Sequence, residues 1–184
     1  MRTLAVVGTA GGVGTTTVAA LAFAGLRHHP HGAPMLYARP SAHLIDRVGD
    51  DQVPALNGEL AVWDAGVHTP ESAAALLEAG GCVLAVAAPA TPLGVADAAR
   101  MLSTISELGE DALAGVAVVL SQVGGRGRAA TPHAVPSPLL VRMPYDRALA
   151  QPGPLPPVTA LARRTQAAAH AWQRRAAALL SLPT

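Results

Sequence analysis

No lysine occurs in the 184-residue chain; all 13 of its basic residues are arginine. Any site that needs an ammonium group must do without it or take a guanidinium instead. Cysteine is nearly absent too. The single Cys82 sits in an apolar run, which excludes an internal disulfide, and no Cys/His pair has zinc-ligand spacing. Nothing argues for an oxidising compartment. Long hydrophobic runs are missing: none reaches about 18 residues free of Pro, Gly or charge, so no membrane-spanning helix is expected. The first apolar stretch, Leu4-Ala5-Val6-Val7, is too short for a signal-peptide core, and a cytoplasmic location is the expectation. Charge of one sign is lacking as well. The net charge is +1, and the arginines cluster only as Arg163, Arg164, Arg174 and Arg175, which gives no clear nucleic-acid signal.

What the chain does have is apolar content. With 51% hydrophobic and 14% charged residues it is the opposite of a disordered composition. A chain of this length hides about 70% of its extended surface on folding and makes one domain. The expectation is therefore a single domain over 1–184.

Short apolar runs alternate with helical patterns. Leu4 to Val7 reads as a buried strand, and Thr16 to Leu26 as a helix ending near His28. Met35 to Ala38 and Leu60 to Trp63 look like strands feeding loops. Ser72 to Ala79 reads as a helix, Cys82 to Ala88 as a strand stopped by Pro89, Val95 to Leu108 as a helix, and Val116 to Leu120 as a strand. Leu139 to Val141 is a last strand. A C-terminal helix is expected at 158–182, after Pro154, Pro156 and Pro157. The stretch 124–138, rich in Gly, Arg, Ala and Pro, reads as an exposed, mobile loop. Parallel neighbours need crossovers, and here the crossovers are helices. The fold class expected is α/β, a doubly wound, mostly parallel sheet with helices on both faces.

Between the first strand and first helix lies Gly8-Thr9-Ala10-Gly11-Gly12-Val13-Gly14-Thr15-Thr16-Thr17. Backbone N–H groups and the positive end of a helix converge there on an anion, and glycine lets the chain curl round a phosphate. The usual phosphate loop is G-x-x-x-x-G-K-[ST]. Gly14 and Thr16 match it, while Thr9 replaces the first Gly and Thr15 the Lys. The candidate phosphate-binding residues are Gly11, Gly12, Val13, Gly14, Thr15, Thr16 and Thr17. The competing reading is a tight strand-to-helix connection kept for packing.

Residues 10–17 resemble the deviant phosphate loop, K-G-G-x-G-K-T-T, of the MinD/ParA family of P-loop ATPases. Ala61 to Gly66 resembles that family's Walker B strand, Val116 to Ser121 the strand that usually ends in Asn, and Met143 to Leu149 the late P-x-D segment beside the nucleotide base. The resemblance implies an ATP- or ADP-binding protein with magnesium held by Thr16 and Asp64. It also implies a homodimer or other protein contacts, and a role in positioning bacterial division, chromosome, pilus or secretion machinery. The departures fall on the chemistry. Both family lysines are gone, replaced by Ala10 and Thr15; the stretch after the second strand, Tyr37-Ala38-Arg39-Pro40, has no carboxylate; and Ser121 stands for the Asn. Phosphoryl transfer needs positive charge on the transferred group, so the expectation is a hydrolysis-deficient scaffold that requires no cofactor. The alternative is an active ATPase using Thr15, Thr16, Asp64 and an arginine, either Arg39 or one supplied by a partner.

Three further features have bland readings beside the sharp ones. Asp64 could hold a magnesium-bound water or cap a following turn. His28, His29 and His31 read as a solvated loop rather than a metal site, and Cys82 as core. On the last helix Trp172, Ala176, Leu179 and Leu180 share a face while Arg174 and Arg175 point away. Docking of that face on the chain's own sheet is favoured over membrane attachment, because Ala makes a good packing face and a poor lipid anchor.

Overall fold

The computed structural model describes residues 1–27, 32–39, 43–49, 59–109, 111–124 and 134–181. The three histidines at 28, 29 and 31 and most of the loop expected at 124–138 lie outside them.

Six strands form one parallel sheet: β1 (Arg2–Gly8), β2 (Met35–Ala38), β3 (Leu60–Val67), β4 (Cys82–Pro89), β5 (Val116–Ser121) and β6 (Leu140–Met143), in the order β2-β3-β1-β4-β5-β6. Helices α1 (Thr15–Leu26), α2 (Leu44–Val48) and α6 (Arg163–Ser181) share one face with the first core cluster; α3 (Pro70–Glu78) and α4 (Pro92–Ser106) share the other. A short α5 (Arg147–Ala150) follows β6. This is the doubly wound α/β arrangement, with both faces covered.

Successive strand side chains point to opposite faces, and the two cores divide accordingly. Leu4, Val6, Val62, Ala85, Ala87 and Ala117 face α1 and α6, whereas Ala5, Val7, Leu84, Val86, Val118 and Leu120 face α3 and α4. The alanines of β4 and β5 leave room on the α6 side, where the fully buried Trp172 lies. Its indole Nε1 donates to the carbonyl of Val18 in α1 at 2.9 Å, so its polar atom is not stranded. The two helices meet closely at Gly25. A Cβ there would fall 2.5–2.9 Å from the Gln173 side chain, and Gln173 Nε2 donates to the Leu21 carbonyl.

The expected C-terminal helix is corrected at its start. Residues 158–160 form a 3₁₀ turn, Leu161 is extended, and α6 begins at Arg163. Tertiary bonds hold the break: the Ala162 amide donates to Asp146, and Gln166 Nε2 donates to the carbonyls of Thr159 and Leu161. The apolar face of α6 is buried against α1 and the sheet, but Arg175 does not point away; its guanidinium donates to the Val116 carbonyl at 3.0 Å. Among the described residues no helix is long and apolar enough to cross a membrane.

Helix starts explain the smaller offsets. Thr69 and Thr91 cap α3 and α4, each followed by Pro at the first helical position, so both helices begin upstream of their apolar spacing. Elements α2 and α5, of five and four residues, carry too little periodicity to be seen in sequence.

Candidate functional site

Strands β1 and β3 are neighbours, and their ladder pairs Val6 with Asp64 and Val7 with Gly66, leaving Ala65 as an extra residue. Asp64 falls on the same side of β3 as Leu60 and Val62, the side facing α1. There its carboxylate meets the first turn of the helix. Thr16 Oγ1 donates to Asp64 Oδ2 at 2.6 Å, and the Gly66 amide donates to Oδ1 at 3.3 Å. The two candidate magnesium ligands, distant in sequence, are thus joined directly, and Asp64 serves its turn as well. Asp64 is 1% exposed, and among the described residues no arginine pairs with it.

The loop that delivers Thr16 is built on two left-handed glycines, Gly12 at φ +74° and Gly14 at φ +89°, a conformation that side chains with a Cβ rarely adopt. Val13 between them is buried and anchors the loop in the core. Gly14 is the N-cap of α1, no side chain caps the helix, and no acid stands in its first turn, so the open amides keep their affinity for an anion. Thr15, in the place of a lysine, folds inward: its hydroxyl lies 2.6 Å from where a Cβ on Gly8 would sit.

Beside the loop is a pocket of about 250 Å³. Its lining brings Gly12, Gly14 and Thr17 of the loop and first helical turn together with Ser121, Tyr145 and Leu149. The late segment that resembles the base-binding P-x-D therefore does stand next to the loop. Asp146 itself is committed to structure, accepting from the amides of Ala148 and Ala162 at 2.9 Å each. Burial opposes its ionisation, but the Ala162 and Ala148 amides outweigh that and hold its carboxyl below the usual range.

One arginine at this site has no sequence signal. Arg47, on α2, is 7% exposed, and its guanidinium donates to the carbonyls of Leu149, Gln151 and Gly153 and to Thr17 Oγ1. Burial pulls its pKa down from the ordinary arginine value. Nothing local distinguishes Arg47 from the other twelve arginines, and α2 is too short to read. Arg39 is placed differently, exposed and lying across Gly66, with its Cδ 3.3 Å and Nε 3.6 Å from a Cβ built there. Next to it, His68 is pushed down by burial and by the Arg39 charge, against a contrary pull from the Ala65 backbone. Among the described residues His68 Nε2 and Thr9 Oγ1 are buried without a hydrogen-bond partner.

The remaining candidates are quieter. Cys82 is a free, half-buried thiol at the start of β4, and burial pushes its pKa up, away from reactivity. Among the described residues no group of His, Cys, Asp and Glu has the makings of a metal cluster. Compared with protein-family models, with curated proteins and with solved structures, the chain finds no match.

Proposed function

We propose that this chain is a degenerate MinD/ParA-like P-loop protein that binds a nucleotide without efficient turnover. In this reading it acts as a cytoplasmic scaffold or regulator, most simply as a homodimer, in the spatial organisation of bacterial division, partitioning, pilus or secretion machinery. The observation that carries the nucleotide part is the 2.6 Å bond between Thr16 and Asp64 at the foot of a glycine-curled loop with open helix amides. A hydroxyl and a carboxylate are hard oxygen donors of the kind magnesium takes with substrate phosphates, so these two residues would hold the ion. Bound there, magnesium would neutralise phosphate charge.

The chain's own part is binding and orientation. The loop amides and the end of α1 receive the phosphates, and Ser121, Tyr145 and Leu149 bound the space beyond them. What it lacks is a lysine on the transferred group, the contribution that makes such loops fast. A surviving cradle with little turnover suits a protein whose output is a contact surface.

A second reading, an active ATPase, is favoured by one observation: Arg39 lies across Gly66, two residues along β3 from Asp64, and its charge acts on His68. Calorimetry with ATP and magnesium, followed by a phosphate-release assay, separates the readings. Expected are micromolar binding, no sustained phosphate release, and loss of the magnesium dependence in Asp64→Ala. Turnover that Asp64→Ala abolishes would establish the ATPase instead, and no binding at millimolar ATP would remove the nucleotide site.

A further inference from the structure

A buried guanidinium is ordinarily matched by a carboxylate. Arg47 is not: every partner it has among the described residues is neutral. Nη1 donates to the carbonyls of Gln151 at 2.6 Å and Gly153 at 2.9 Å, and Nη2 donates to the Leu149 carbonyl at 2.6 Å and to Thr17 Oγ1 at 3.2 Å. Among the described residues three carbonyl dipoles solvate the charge and no carboxylate cancels it. A full positive charge therefore stands one hydrogen bond behind the first turn of α1, in a loop whose own side chains carry none.

The direction of that hydrogen bond has a consequence for Thr17. Arginine only donates, so Thr17 Oγ1 must accept, and the hydroxyl proton is left to donate elsewhere. Thr17 lines the pocket together with Gly12 and Gly14. The same guanidinium pins Leu149 and the two carbonyls after α5, and Leu149 and Ala150 line the same pocket. One side chain thus orients the Thr17 hydroxyl and holds the Leu149 segment of the same pocket.

We propose that Arg47 is the positioning residue that replaces the missing loop lysines, biasing the site toward the polyphosphate of a nucleoside di- or triphosphate through Thr17. This rests on the phosphate-site reading above and adds the source of its positive charge. A cation reaching the ligand through a hydroxyl stabilises bound phosphate without touching the transferred group, so it supports binding more than cleavage. Being buried, it is also screened little by salt.

The test is calorimetric titration with magnesium ATP, and separately with inorganic triphosphate, of the wild type, Arg47→Gln, Arg47→Lys, Thr17→Val and the Arg47→Gln/Thr17→Val double variant. Circular dichroism checks that each is folded. Arg47→Gln and Thr17→Val are each expected to weaken binding about tenfold, the loss typical of one hydrogen bond to a charged group. Arg47→Lys should restore most of it, and the double variant should be no weaker than the worse single one, because both act through one contact. Losses that simply add would overturn the assignment. If Arg47→Gln does not fold, Thr17→Val decides alone, since it leaves the three carbonyl bonds in place; wild-type affinity there sinks the proposal. Absence of binding by the wild type removes the site and this assignment together, whereas wild-type binding that neither substitution weakens overturns the assignment only.

Discussion

The two ends of α1 are built on opposite terms. At its C-terminal end Phe23 and Leu26 are fully buried, Gly25 admits Gln173 at contact distance, and the Leu21 carbonyl accepts from Gln173 of α6. That end is dry and satisfied. At the other end Gly14 caps without a side chain, Thr15 to Thr17 are half-buried, and Asp64 is buried without a countercharge among the described residues. The contrast teaches where the fold's stability resides and where its chemistry does. A helix clamped at one end by packing can hold the under-satisfied polar groups of its other end in place, as functional sites commonly require.

The strongest way to break this comparison is to remove the clamp. Trp172→Ala deletes a fully buried side chain and its bond to Val18, and should cost about 3–5 kcal/mol in denaturant unfolding, the range for truncating a large core aromatic. A loss under about 1 kcal/mol would mean α6 is not what fixes α1.

At the polar end the instructive change adds rather than removes. Thr15→Lys restores an ammonium at the position a phosphate loop normally gives one, and should tighten triphosphate binding roughly tenfold while leaving unfolding free energy within about 1 kcal/mol. No gain in affinity would mean that the inward fold of residue 15 over Gly8 has closed the cradle.

The smallest effect concerns the link between the two ends. Asp146 ties α5, at the pocket wall, to Ala162 at the start of the clamp helix. Its folded pKa is depressed, so its contribution is fully present above the ordinary carboxylate pKa and is lost as pH falls through the lower folded value. The melting-temperature difference between wild type and Asp146→Asn should therefore be constant near neutrality and shrink on acidification. A difference that grows as pH falls would reverse the sign of the argument.

The sequence was most informative where local pattern and burial agree. Strands buried on both faces read as continuous apolar runs, which is why β1, β4 and β5 fall within a residue or two of their expected limits. The loop was legible from its glycines, and Thr16 and Asp64 from their places in it and at the end of β3. Arg47 was not, because its role comes from carbonyls about a hundred residues away in the chain. Arg175 was misread for the same reason: helical spacing assigns a face, and a long side chain can reach round it to Val116.

The residue pattern by itself determined the parallel α/β fold, the glycine-curled turn after β1 and the absence of any lysine, since each follows from period, backbone freedom or composition. Tertiary structure alone decided that Thr16 meets Asp64, that α6 seals α1, and that a buried guanidinium stands behind Thr17. Those are contacts between distant parts of the chain, and their energies depend on what surrounds each group once water has been excluded.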